Sequence, residues 1–384
     1  MALDADTLDQ LLRTLDSFVR ERLMPLEAQV AEQDRIPAEV IDEMKAMGMF
    51  GLTIPEAYGG LGLNTEEECR AVRVLGYTSP AFRSVIGTNN GIGSQGLVMD
   101  GTEEQKSHYL PKMATGEIIG SFALTEPDAG SDSGAVKTSA RRDGDCYVLN
   151  GTKRYITNAP SAQVFTVFAR TNPEERGGRG VTAFLVDAKT PGISLGKPYK
   201  KMGQQGAHVC DVIFEDCRVP QDAILGGPAR LNKGFETAMK TLDRGRLHIS
   251  ALAVGCANRL IDESLRFAMD RKQFGQAIAQ FQLVQAMLAD SRAETYAAEC
   301  MVMDASRRRD AGEPVSTLAS CAKLFATEMV GRVADRAVQI HGGAGYMDEY
   351  PVSRFYRDVR LFRIYEGTSQ IQQTIIARNM IRDA

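Results

Sequence analysis

A single carboxylate near the end of this 384-residue chain is placed where proton chemistry is possible. In Arg363-Ile364-Tyr365-Glu366-Gly367-Thr368-Ser369-Gln370, Glu366 follows an apolar-aromatic run (Leu361, Phe362, Ile364, Tyr365) and precedes a glycine. Apolar neighbours solvate a carboxylate poorly, disfavour its charged form and lift its pKa toward the range of a general base. Gly367 lets a large group approach the backbone closely, and Thr368 and Gln370 offer it hydrogen bonds. The same residues also read as a helix start, with Thr368 or Ser369 capping a helix over 370–381 and Glu366 just outside it. The isolated stretch leaves both readings open.

Other stretches offer binding chemistry. Leu124-Thr125-Glu126-Pro127-Asp128-Ala129-Gly130-Ser131-Asp132 is small and polar enough for amides and hydroxyls to meet a flat, polar-edged group, and equally reads as a turn around Pro127 and Gly130. Arg271-Lys272-Gln273-Phe274-Gly275 carries a guanidinium whose planar, forked donors suit phosphate. Two further patterns lead nowhere. Gly91-Ile92-Gly93-Ser94-Gln95-Gly96 fits the dinucleotide glycine pattern but lies in helical surroundings without a strand–helix–strand unit. Gly130-Ser131-Asp132-Ser133-Gly134 has Asp132 where a nucleophile elbow needs its serine, so hydrolase chemistry is not supported.

The elements that must position these residues change period twice. Leu8, Leu11, Leu12, Leu15, Phe18, Val19 and Leu23 recur at helical spacing and stop before Pro25; a second helical segment covers 38–47, and patterning resumes from Thr65 to about Met113. From about Ile118 short β-rich runs take over, at 164–169, 181–186, 193–195 and 209–214, and Tyr147-Val148-Leu149 runs into Asn150-Gly151, a hairpin signal. Beyond Leu231 long amphipathic segments occupy 234–271, 281–310 and 317–340, with breaks at Phe274-Gly275 and Gly342-Gly343-Ala344-Gly345, as in a helical bundle. The expected organisation is an α+β chain in three sections: an all-α domain (1–118), an antiparallel, barrel-like β domain (119–228) and a four-helix bundle (229–384).

Composition narrows the partners. Hydrophobic residues make up 43% and charged residues 24%, the balance of a soluble globular protein, and the net charge is −4. Arg307-Arg308-Arg309, the one basic run, reads as the last turn of a helix rather than a nucleic-acid surface. Seven scattered cysteines without a Cys-x-x-Cys pair and four separated histidines predict neither disulfides nor a metal site. With no leader-like or spanning segment in view, the expected location is cytoplasmic, without membrane insertion.

Ile364-Tyr365-Glu366-Gly367-Thr368 at this place in a chain of this length closely resembles the acyl-CoA dehydrogenase family, and the helical, β, helical order extends the resemblance over essentially the whole chain. The resemblance implies that Glu366 removes the α-proton of an acyl-CoA thioester, and that the β-hydrogen leaves as hydride to FAD. It makes the 124–132 stretch a flavin signature, with Phe122, Leu124 and Thr125 at the isoalloxazine edge, Gly130 in the loop, and Ser131 near flavin or CoA. Arg154-Tyr155-Ile156-Thr157-Asn158 is similar to the family's Trp-Ile-Thr segment, so Thr157 is expected near the flavin and Tyr155 replaces the tryptophan. Arg271, with Gln273, Phe274, Ile278 and Gln282, is expected at the FAD of a neighbouring subunit, with Gln339 and Gly343 on the adenine side and Thr368 and Gln370 also at the cofactor.

For the substrate, the resemblance implies contacts from Asp243, Arg246, Tyr365 and Gly367, and from Ser94 in a roomy acyl end lined by Gly91, Gly93 and Gly96. Some relatives carry their catalytic glutamate just before the arginine of Asp243-Arg244-Gly245-Arg246; here that position is Gly245. Arg83, in Phe82-Arg83-Ser84, falls where glutaryl-CoA dehydrogenases hold a distal carboxylate, or else turns outward or pairs with Glu66, Glu67 or Glu68. The expected protein is a homotetramer passing electrons to an electron-transferring flavoprotein. A dicarboxylyl-CoA dehydrogenase, an acyl-CoA oxidase and a non-catalytic acyl-CoA-binding protein are the alternatives.

Overall fold

A computed structural model describes residues 3–384. Among them, seven α-helices come first: α1 (Ala5–Phe18), α2 (Glu27–Gln33), α3 (Ala38–Ala46), α4 (Thr65–Leu75), α5 (Pro80–Asn90), α6 (Gln95–Asp100) and α7 (Glu103–Ala114). The apolar stripe that runs to Leu23 does continue past Phe18, but as a π turn over Val19–Leu23, with Pro25 in the 3₁₀ turn that follows. Helices α4 and α7 start on reciprocal caps, Asn64 with Glu67 and Thr102 with Gln105, each satisfying two amides that the helix itself cannot.

The middle section is one seven-stranded sheet built from β1 (Gly120–Ala123), β2 (Ser139–Asp143), β3 (Cys146–Thr157), β4 (Val164–Arg170), β5 (Val181–Asp187), β6 (Ile193–Leu195) and β7 (Val209–Pro220). Its order is β1-β4-β2-β3-β7-β6, with β5 also on β4; pairings are antiparallel except β1 with β4 and one contact of β2 with β4. Asn150-Gly151 is not the hairpin that the sequence signals. Strand β3 runs straight through it with a register irregularity against β7. Asn150 instead exchanges hydrogen bonds with Asp216 across that irregularity, and a Cβ on Gly151 would lie 2.6 Å from the Thr138 hydroxyl. The chain reverses earlier, at the two-residue turn Gly144-Asp145 between the paired Asp143 and Cys146.

The C-terminal section contains α8 (Gly234–Asp270), a two-stranded turn β8 (Lys272–Gln273) and β9 (Gln276–Ala277), then α9 (Gln282–Asp310), α10 (Ser316–His341), α11 (Pro351–Val359) and α12 (Ser369–Arg382). Phe274 and Gly275 both have positive φ, the signature of a tight turn whose twist matches its strands. One apolar cluster stitches the sections together: Leu97 and Met113 from the helices, Phe168 and Leu185 from the sheet, and Ala238 from α8. Completely burying one such large side chain stabilises by about 1.5–3 kcal/mol.

Candidate active site

Glu366 sits in the short loop between α11 and α12, in a left-handed conformation (φ 56°) that non-glycine residues seldom adopt. The surroundings hold it there. Phe362, fully buried, stacks on Tyr365 with ring centroids 5.9 Å apart. Gln372 Nε2 donates to the carbonyls of Glu366 and Gly367 at 3.1 and 3.0 Å, and Lys323 Nζ donates to Gly367 at 2.7 Å. Thr368 caps α12 through the Ile371 amide. Loop and cap are therefore one feature: the expected helix start is there with Thr368 as its cap, and Glu366 lies just outside it. A left-handed residue costs about 1–3 kcal/mol, which these contacts offset.

The side chain of Glu366 points at Gly245 on α8. A Cβ there would lie 2.6 Å from Glu366 Oε2, so only glycine leaves room for the carboxylate. Oε2 is buried without a hydrogen-bond partner, and the Glu366 amide makes no hydrogen bond among the described residues. Burial raises the Glu366 pKa above the ordinary carboxylate value; the charges of Arg83, Arg246 and Lys323 counter part of that. Burial likewise pulls Lys323 down to about 8, against the attraction of Glu366.

Glu366 lines a cavity of about 70 Å³ with walls from all three sections: Arg83 and Gly91 from the helices, Thr157 from the sheet, Gly245 and Tyr365 from the bundle. Thr157 ends β3, where Ser121 Oγ donates to its carbonyl at 2.8 Å. The next residue, Asn158, is a clamp that the sequence hides. Its amide donates to the carbonyls of Ser84 and Val85 and to Thr88 Oγ1, tying the strand end to α5. The buried Lys153–Glu126 pair, also not anticipated, braces the loop after β1: Lys153 Nζ reaches Glu126 Oε1 at 2.7 Å and the Leu124 carbonyl at 3.1 Å. Glu126 further accepts from the amides of Lys137 and Thr138. A lysine at an inward position of strand-patterned sequence was the available signal.

The other singled-out residues fall into separate groups. Phe122 packs on Phe168, Leu124 is buried, and Thr125 is half-buried beside exposed Gly130 and Ser131. Tyr155 is 58% exposed, with its ring 5.2 Å from Tyr199. Arg246 is buried and paired with Asp243 one turn earlier on α8. Arg83 neither turns outward nor pairs directly with Glu66, Glu67 or Glu68; its Nε donates to His248 Nε2 at 2.6 Å. Gly93 and Gly96 are packed closely, against Thr88 and Gly120 carbonyls and against Thr237, and Ser94 is fully buried rather than in the cavity wall. Arg271, Gln273, Phe274 and Gln282 are exposed and Ile278 half-buried at one end of the bundle. Gln339 and Gly343 are exposed at that same end, where His341 stacks on Phe267 at 4.3 Å. Gln370 is exposed on α12.

Residues 5–117, 121–217 and 232–381 match, in turn, the N-terminal, middle and C-terminal domain families of acyl-CoA dehydrogenase. The chain belongs to the acyl-CoA dehydrogenase family. It is 42% identical to a 3-(aryl)acrylate reductase of Clostridium sporogenes over 97% of this chain and 98% of the relative. A caffeyl-CoA reductase–Etf complex subunit of Acetobacterium woodii is 41% identical over 92% of each chain. The structure of butyryl-CoA dehydrogenase from Megasphaera elsdenii superposes with a TM-score of 0.94 at 33% identity, covering 100% of both chains.

Acyl-CoA dehydrogenases are FAD-dependent oxidoreductases, and the residues of this chain fit that cofactor. The hydroxyls of Thr125, Ser131 and Thr157 make no hydrogen bond among the described residues. A Cβ on Gly130 would meet nothing within 4 Å, so the loop borders open space. Free hydroxyl donors, one of them on Thr157 in the wall of the Glu366 cavity, are what a flat ring with polar edges requires. Among the described residues there is no cluster fit to hold a metal ion, and no helix is long and apolar enough to cross a membrane.

Proposed function

We propose that this chain dehydrogenates an acyl-CoA thioester at Cα–Cβ, with Glu366 as the base. The observation that carries the reading is the buried, unpartnered carboxylate of Glu366 lying against Gly245 in the wall of a cavity that Thr157 also lines. The free Glu366 amide is a fixed donor for the thioester carbonyl, and stabilises the enolate-like charge that develops as the α-proton moves to the carboxylate. FAD, when bound, supplies the two-electron acceptor for the hydride that leaves Cβ, and the product is the trans-2-enoyl thioester. Thr125, Ser131 and Thr157 orient the cofactor, Arg246 and Asp243 lie along the thioester's path, and Lys323 fixes the loop that carries the base.

Electrons then pass to an electron-transferring flavoprotein; the likeness to an Etf-complex subunit supports this partner. The end of the bundle where Arg271, Phe274, Gln339 and Gly343 are exposed is the face assigned to a second copy at its FAD, in a protein proposed to be a homotetramer of the cytoplasm. Because a base that removes the α-proton also returns it in the reverse reaction, the reductase names of the relatives require no different residue. A specific observation favours a dicarboxylyl thioester as substrate: Arg83 lines the same cavity as Glu366. A guanidinium there is costly to desolvate unless it meets an anion.

Glu366→Gln tests the central claim. The purified variant is expected to stay yellow and to bind acyl-CoA, with flavin bleaching slowed by about 10²–10⁴-fold. Bleaching at the wild-type rate would refute Glu366 as the base. Comparing glutaryl-CoA with butyryl-CoA in wild type and Arg83→Ala separates the two substrate classes.

A further inference from the structure

A row of four polar side chains crosses from the bundle to the cavity. Arg244 Nε donates to Glu68 Oε2 at 2.7 Å, and its Nη1 donates to Gln95 Oε1 at 2.9 Å. The other oxygen of Glu68 lies 2.7 Å from His248 Nδ1, and His248 Nε2 lies 2.6 Å from Arg83 Nε. An arginine only donates, so Nε2 accepts; the imidazole is neutral, with its proton on Nδ1 given to Glu68. Burial draws the His248 pKa down to about 4, with Arg83 acting in the same sense. Burial opposes ionisation of Glu68, but Arg244 and His248 outweigh it and hold its pKa at about 2.

The far end of the row is aimed by a missing side chain. A Cβ on Gly87, one turn after Arg83 on α5, would lie 3.1 Å from Arg83 Cζ, so the guanidinium folds over a glycine. Its Nε is taken by His248, and its two amino groups have no partner among the described residues. Arg83 lines the cavity that Glu366 shares.

We infer that His248 is a positioning residue for specificity: as a neutral bridge to Glu68 it fixes Arg83 so that both free amino groups meet a carboxylate on the acyl chain. The inference rests on the dicarboxylyl reading of Arg83. A residue with no role in the proton or hydride transfer then decides between anionic and neutral acyl groups. Arg244 and Glu68 serve it by holding the Nδ1 proton in place.

The test uses the FAD-loaded full chain carrying Glu366→Gln, which binds without turning over, and reads Kd for glutaryl-CoA and butyryl-CoA by calorimetry. His248→Leu is expected to weaken glutaryl-CoA by about tenfold, the loss of one bond to a charged group, and to leave butyryl-CoA unchanged. His248→Gln, whose amide can accept from Arg83 and donate to Glu68, is expected to restore most of that loss. In an Arg83→Ala background His248→Leu is expected to change nothing. Equal weakening of both thioesters, or a full effect without Arg83, overturns the positioning role. If Arg83→Ala itself leaves glutaryl-CoA affinity intact, the carboxylate reading fails and takes this inference with it. If Arg83→Ala weakens glutaryl-CoA and His248→Leu does not, His248 alone is ruled out. Should leucine beside Glu68 disturb folding, the Glu68→Gln, His248→Leu pair removes the stranded carboxylate and gives the same readout.

Discussion

Glu366 is held in a conformation and an environment that both cost free energy. Burial raises its pKa, so its contribution to stability is largest below the ordinary carboxylate value and is lost as pH rises through the raised one. At neutral pH the ionised base therefore destabilises the fold, and Glu366→Gln is expected to raise the melting temperature at pH 7 but not in acid. The same sign governs the proposed catalysis, in which only the carboxylate removes a proton: flavin reduction should increase with pH through a limb above the ordinary carboxylate range. Arg83 is the first of the charges that lower this pKa, so Arg83→Ala is expected to shift that limb to higher pH; a shift downward would contradict the geometry. Gly245→Ala puts a Cβ 2.6 Å from Oε2 and is expected to slow reduction by ~10²-fold through displacement of the base, with the flavin retained. The Glu366 string was legible through its resemblance to a family motif, since its local chemistry alone fits a helix start as well. His248 was not, because its partner Glu68 lies 180 positions away and nothing local marks either residue.

At the scale of elements, helices declared themselves better than strand connections. The 3.6 periodicity of α8, α9 and α10 places their ends within a residue or two, because a long apolar stripe averages over local exceptions. Asn150-Gly151 misled because turn chemistry states only that a backbone can bend, and here the glycine serves the close approach of Thr138 inside a continuous strand. Asn158 shows the converse, a loop residue whose importance is purely tertiary. It joins β3 to α5 through three hydrogen bonds, in a left-handed conformation (φ 61°) that glycine also accepts. Asn158→Gly, which keeps that backbone and removes the clamp, is expected to cost about 1–3 kcal/mol in a denaturant titration. It should also loosen flavin retention through its neighbour Thr157. Unchanged stability would mean that the apolar cluster alone docks the sections.

For the whole molecule, Arg83, Thr157, Tyr365 and Glu366 meet at one cavity, whereas Arg271, Phe274, Gln339 and Gly343 are exposed at one end of the bundle. Sequence could name both groups but not their separation, since that depends on how three sections dock. Arg271→Ala is expected to release FAD on dilution, and to reduce the assembled species in gel filtration, with little change in the bleaching rate of whatever remains loaded. Full occupancy through dilution would remove Arg271 from the cofactor site. The cavity itself has one wall from each section: α5 carries Arg83, the end of β3 carries Thr157, and the loop before α12 carries Glu366. Such a site is modular in descent. On the proposed roles, changes on α5 retune which acyl group is accepted while the strand end assigned to the cofactor and the loop assigned to proton transfer stay untouched. One scaffold can thus diversify its substrates without reinventing its chemistry.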